Sequence, residues 1–162
     1  MATEQAEPTP DPAPPKPAPE IPDDDLLYRR VTGRIVTDPV TGVIRPSSAA
    51  FHSVPDGVSV FRRDLLAAAD LTVEAVPSTP ADVVVSLPVG AVRALVPLNV
   101  RDDPWPHDVP DPTHPRYVAH ALITGCESLH KNQRIEFQRK LAHLASLRFE
   151  WPLGFQAGLK PQ

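Results

Sequence analysis

At 162 residues and 41% hydrophobic side chains, the chain has room for one ordinary domain with its own core and too little for two. Its 22 prolines, about 14% of residues against a usual ~5%, point to an extended segment beside that domain. The single cysteine, Cys126, excludes an internal disulfide and a thiolate metal cage, and fits a reducing compartment. The net charge of −4 conceals an asymmetry: residues 1–25 hold seven acids against Lys16 alone, leaving 15 basic and 13 acidic groups in the remainder. That small excess is far from the basic stripe of a dedicated nucleic-acid binder. Residues 1–20 carry neither the basic nor the apolar region of a signal peptide, and no stretch approaches the ~20 apolar residues of a membrane span. The expected location is the cytoplasm, with no membrane partner.

Prolines 8, 10, 12, 14, 15, 17, 19 and 22 hold the backbone near polyproline geometry and leave almost nothing apolar to bury, so residues 1–25 are expected to be a disordered, Pro-rich acidic tail. The P-x-x-P spacings within it also occur freely in any proline-rich spacer. A single α+β domain is expected over residues 26–153, followed by a loose end at 154–162. Leu26–Val31 reads as its first strand. Asp38-Pro39-Val40-Thr41-Gly42 carries reversal chemistry, with Pro fixing φ and Gly free to take φ > 0. Asp56-Gly57 marks another turn before a short strand at Val58–Phe61, and Asp64–Asp70 is a short helix by propensity. The apolar run Val83–Leu87 suits a strand buried on both faces and placed at the sheet centre. One or two helical turns at Val89–Leu95, a strand at Val96–Val100 and a long proline-bearing loop at 102–115 follow. Tyr117–Ile123 reads as a strand. From Glu127 to Ala145 there is no Gly or Pro, and Phe137, Leu141 and Leu144 recur on one helical face. The fold expected is a small mixed or antiparallel sheet with this long helix, in the C-terminal half, packed on it.

Arginines beside small hydroxyl residues suit an anionic ligand, because guanidinium forks bind phosphate or carboxylate bidentately and serine permits close backbone approach. On that chemistry Arg29, Arg45, Ser47 and Ser59 are candidate ligand-binding residues, with His120 as a neutral donor or acceptor near them. The Asp/His loop (Asp102, Asp103, His107, Asp108, Asp111, His114) offers metal-type ligands in a spacing that matches no metal motif, so no metal is assigned. The basic face of the long helix (Lys131, Arg134, Arg139, Lys140) reads as a solvated surface, with Glu136 and Lys140 paired at i, i+4. Cys126, between strand and helix, reads as a buried inert thiol.

The order of an Arg-bearing first strand, then Arg45-Pro46-Ser47-Ser48-Ala49-Ala50-Phe51, then Gly57-Val58-Ser59-Val60, resembles a family of short uncharacterised bacterial proteins over residues 27–125. A more distant likeness is to the ADP-ribosyltransferase superfamily. That likeness implies Arg29 against a dinucleotide, Ser47 or Ser59 on the ribose-binding strand, and Glu127 or Glu150 as the acid, although the family's Glu/Gln-x-Glu pair is absent.

The functional expectation is a small binding or accessory module for a nucleotide-like ligand or a protein partner. The alternative is a small nucleotide- or NAD-using transferase or hydrolase. No complete acid–base or nucleophile set can be assembled from the sequence alone, and no cofactor is specified.

Overall fold

The computed structural model describes residues 20–53, 55–105, 114–146 and 148–152. The expected tail at residues 1–19, most of the loop at 106–113 with His107, Asp108 and Asp111, and the C-terminal end from 153 lie outside the described residues. In chain order the elements are β1 (Leu26–Thr32), β2 (Ile35–Thr37), β3 (Ile44–Pro46), β4 (Val58–Arg62), α1 (Arg63–Ala68), β5 (Asp82–Pro88), α2 (Val89–Arg93), β6 (Asn99–Asp102), α3 (Pro115–Val118), β7 (His120–Thr124), α4 (Lys131–Ala145) and β8 (Phe149–Trp151). The fold is α+β. Six strands form an antiparallel sheet in the order β6-β7-β4-β1-β5-β8, and β2 and β3 form a separate hairpin.

Alternation along the strands gives the sheet two apolar faces. Leu27, Val31, Val60, Val85, Leu87, Ala121 and Ile123 meet Leu141, Ala142 and Ala145 of α4, with Phe51 fully buried among them. Tyr28, Phe61, Val84 and Ala119 point the other way and pack with Leu66 of α1 and Val76. β5 is therefore buried on both sides, as the apolar side chains of Val84, Val85 and Leu87 require. It is not central, however: β1 and β4 occupy the middle of the sheet, and β5 lies one strand in from the β8 edge.

The β2–β3 reversal follows the expected turn chemistry. Asp38 Oδ1 accepts from the backbone N–H groups of Val40 and Thr41, both at 2.9 Å, and Gly42 takes φ +70°. Gly57 is required for a different reason. At φ +137° it passes so close to β7 that a Cβ would sit 2.5 Å from the Ile123 carbonyl oxygen.

Three segments depart from the sequence reading. Val96–Leu98, expected as strand, are a turn and its exit, and β6 begins only at Asn99. Tyr117 and Val118, expected as strand, form the helical turn α3, because Pro115 sits in its first turn and His114 Nδ1 accepts from Arg116 N at 3.2 Å. The strand begins only at His120. The folded region also reaches back past residue 26. Ile21 lies in the main core, and the wholly buried Asp25 carboxylate accepts from Arg62 Nε at 2.8 Å and from the N–H groups of Leu26 and Asp64 at 2.8 and 3.2 Å. Arg62 also reaches both oxygens of Asp102, at 2.8 and 2.9 Å, which ties β4 to β6 across the intervening β7.

Candidate functional site

The sheet opens at its centre. β1 pairs with β5 over all seven residues but with β4 only at Leu27 and Tyr28, so beyond Tyr28 the two middle strands part. Arg29 fills the gap. Its Nε donates to the Ala50 carbonyl at 2.9 Å and one terminal nitrogen donates to the Ser59 carbonyl at 2.6 Å, one acceptor on the 3-10 turn at Ser48–Phe51 and one on β4. Desolvation, followed by the nearby charges of Arg30 and Arg34, pulls the Arg29 guanidinium down to about 10. Among the described residues it has no carboxylate ion pair.

Arg29 lines a cavity of about 300 Å³ together with Arg30, Arg34, Ala49, Ala50 and His52. Arg34 is exposed and donates to the Ala49 carbonyl at 2.6 Å. Arg30 has Asp82 at 4.0 Å, but that carboxylate already accepts from Thr32, from both Ser78 donors and from the Thr79 N–H. Burial alone would raise the Asp82 pKa. These hydrogen bonds outweigh it and hold the carboxyl well below its usual range. The cavity wall is thus cationic, with its guanidinium groups anchored mainly by neutral carbonyls.

A second cavity, of about 330 Å³, lies beside the first and shares Arg30 with it. Here the Ser59 hydroxyl is 2.8 Å from His120 Nε2, and His120 Nδ1 is 2.7 Å from the Asp103 carbonyl and 3.2 Å from the Asp103 carboxylate. The placement follows from register: Ser59 pairs with Leu122 and Phe61 with His120, so Ser59 and His120 are diagonal neighbours on one face. The Phe61 ring packs edge-on against the imidazole, with centroids 6.0 Å apart. Arg116, 5.2 Å over the Trp105 ring, brings another guanidinium to the same cavity. No family model, curated protein or solved structure matches this chain.

Of the residues singled out from sequence, Arg29, Ser59 and His120 are brought together, with Arg29 on the Ser59 carbonyl and His120 on its hydroxyl. Arg45 and Ser47 are not. Arg45 is exposed on the β2–β3 hairpin, and Ser47 precedes a short 3-10 turn, its N–H donating to the Arg34 carbonyl at 2.8 Å. Neither lines the two cavities. Glu127 accepts from the Gly125 N–H at 2.7 Å and Glu150 from the Ser86 hydroxyl at 2.6 Å, and neither lines them either. Burial, and then the Glu127 charge, push the Cys126 thiol up, which disfavours a reactive thiolate. No cluster of three metal-type ligands occurs among the described residues. No helix among them is long and apolar enough to cross a membrane.

Sequence reasoning missed Arg30, Arg34, His52, Asp103 and Arg116 as cavity residues. Adjacent strand residues face opposite sides, so Arg29 and Arg30 could meet one cavity only through the gap between β1 and β4. No residue pattern announces that gap. A larger cavity, about 630 Å³ along β6, has a different character: Arg93 there is paired with Asp23 at 2.6 Å and Asp102 is held by Arg62.

Proposed function

We propose that this chain is a small anion-binding module, taking a phosphate-bearing, nucleotide-like ligand on Arg29, Arg30 and Arg34 with His52 beside them. The observation that carries the reading is the Arg29 guanidinium, desolvated and drawn down to about 10, with two carbonyl partners and no carboxylate ion pair among the described residues. Carbonyl oxygens satisfy N–H donors but do not neutralise the charge. A phosphate does both, and guanidinium groups match its oxygens in pairs. A volume of about 300 Å³ lies at the small end of ligand cavities and suits a phosphoryl or pyrophosphoryl group with little attached.

Thermal unfolding tests the reading. A ligand that binds only the folded state at 100 times its Kd adds about 2.7 kcal/mol of stability, which raises Tm by several degrees in a domain of this size. Pyrophosphate, ADP and NAD should each be compared with sodium chloride at matched ionic strength. A rise with at least one phosphate compound, lost in Arg29→Met, is expected. Equal curves for chloride and every phosphate compound would remove the proposal.

A further inference from the structure

The Ser59, His120 and Asp103 geometry goes beyond anion binding: we propose that the chain hydrolyses small, negatively charged esters with Ser59 as nucleophile and His120 as general base. The direction of the hydrogen bonds carries the argument. The Asp103 carbonyl 2.7 Å from His120 Nδ1 can only accept, so in the neutral ring the proton resides on Nδ1. Nε2 then presents its lone pair, and the Ser59 hydroxyl at 2.8 Å donates to it. This is the polarity that activates a serine. The Asp103 carboxylate, 3.2 Å from Nδ1, stabilises the imidazolium formed when the serine proton moves, which makes Asp103 a positioning residue. Ser59 and His120 both line the 330 Å³ cavity, which is where a substrate would meet them.

The cavity also offers cations to a substrate. Arg30 and Arg116 line it with Asp56 as the opposing carboxylate beside Asp103, so an ester carrying a carboxylate or phosphate on its acyl or alcohol part meets two guanidinium groups. Ser59 Oγ bonds to the ester carbonyl carbon as its proton passes to His120 Nε2. The bond to the alcohol oxygen then breaks, and the alcohol leaves with the proton from Nε2. Water next adds to the acyl carbon, giving a proton to Nε2. The Ser59–carbon bond breaks as that proton returns to Ser59, releasing the acid. The net reaction is ester plus water to acid plus alcohol. None of this rests on the neighbouring arginine cavity binding a ligand.

The full chain should be treated with a fluorophosphonate probe and digested for peptide mass spectrometry, and assayed with p-nitrophenyl hemisuccinate beside neutral p-nitrophenyl acetate. The expected results are an adduct on Ser59 and, after each ester's spontaneous rate is subtracted, faster release of nitrophenolate from the anionic ester. Ser59→Ala, which removes one oxygen and should leave the circular dichroism spectrum unchanged, should lose the adduct and reduce release by roughly a hundredfold or more. His120→Gln should behave alike; if it fails to fold, the Ser59 adduct and the Ser59→Ala rate still decide. Arg116→Ala should reduce the preference for the anionic ester. No adduct on Ser59 in the folded chain, an adduct only elsewhere, or unchanged release in Ser59→Ala would each overturn the proposal.

Discussion

Two arginines near the middle of one sheet solve burial in opposite ways. Arg62 is 8% exposed and sits between Asp25 and Asp102, and although burial opposes its charge, hydrogen bonds to both carboxylates raise its pKa above the ordinary value. Arg29 has two carbonyls, and its pKa falls to about 10. Arg62 reads as a structural clasp whose charge is already balanced within the fold. Arg29, with no carboxylate ion pair among the described residues, carries its charge at a cavity wall, as expected of a group kept for a ligand. The difference teaches that burial of a cation alone does not indicate a site; what indicates one is burial without a counter-charge.

The largest effect should come from breaking the clasp. Arg62→Met would leave the buried Asp25 carboxylate without its cation, and loss of one partner from a buried pair costs about 3–5 kcal/mol. Urea unfolding measures this. Arg29→Met removes two hydrogen bonds but leaves no carboxylate stranded, so it should cost only about 1–2 kcal/mol while abolishing anion-dependent stabilisation. An equal or larger loss than in Arg62→Met would show Arg29 to be the structural clasp instead.

Asp82 sharpens the comparison from the acidic side, since its carboxylate is held by N–H and O–H donors more closely than by a guanidinium. Its folded pKa is depressed, so its contribution is fully present above the unfolded value of about 3.9 and is lost as pH falls below it toward the folded value. Unfolding free energies measured between pH 5 and pH 2 should fall more steeply in the native chain than in Asp82→Asn. Parallel curves would contradict the assignment.

The smallest stability change is expected at Arg34, an exposed side chain bonded to one carbonyl. Arg34→Ala should move unfolding free energy by no more than about 0.5 kcal/mol, yet weaken pyrophosphate binding about fivefold or more. Calorimetric titration of the folded variant reads the second effect, and unchanged affinity would remove Arg34 from the site.

Local patterns made much of the fold legible. The apolar run of β5, the Asp38–Gly42 reversal and the Phe137-Leu141-Leu144 face of α4 each state their environment within a few residues. The position of β5 in the sheet was not legible, because strand order depends on which hydrogen-bonding edges meet and not on how apolar a strand is. At the site, Arg29, Ser59 and His120 were recognisable by chemical type. Their company was not: Asp103 reaches His120 through β6–β7 pairing, and Arg34 and His52 arrive on segments inserted at the gap between β1 and β4. Arg45 and Ser47 are the converse case: of the Arg45–Phe51 string it is Ala49 and Ala50 that line the cavity, the latter through its carbonyl on Arg29, whereas Arg45 is exposed on the hairpin.

Binding of an anion by the Arg29 guanidinium is read most directly from its Nε–H resonance in a nitrogen-15 labelled chain titrated with pyrophosphate at constant ionic strength. A saturable shift of the Arg29 signal is expected, with the same apparent Kd as the Tm rise, and a nearly stationary Arg62 signal. An Arg29 resonance that stays in place while pyrophosphate raises Tm or shifts signals elsewhere would contradict binding at Arg29.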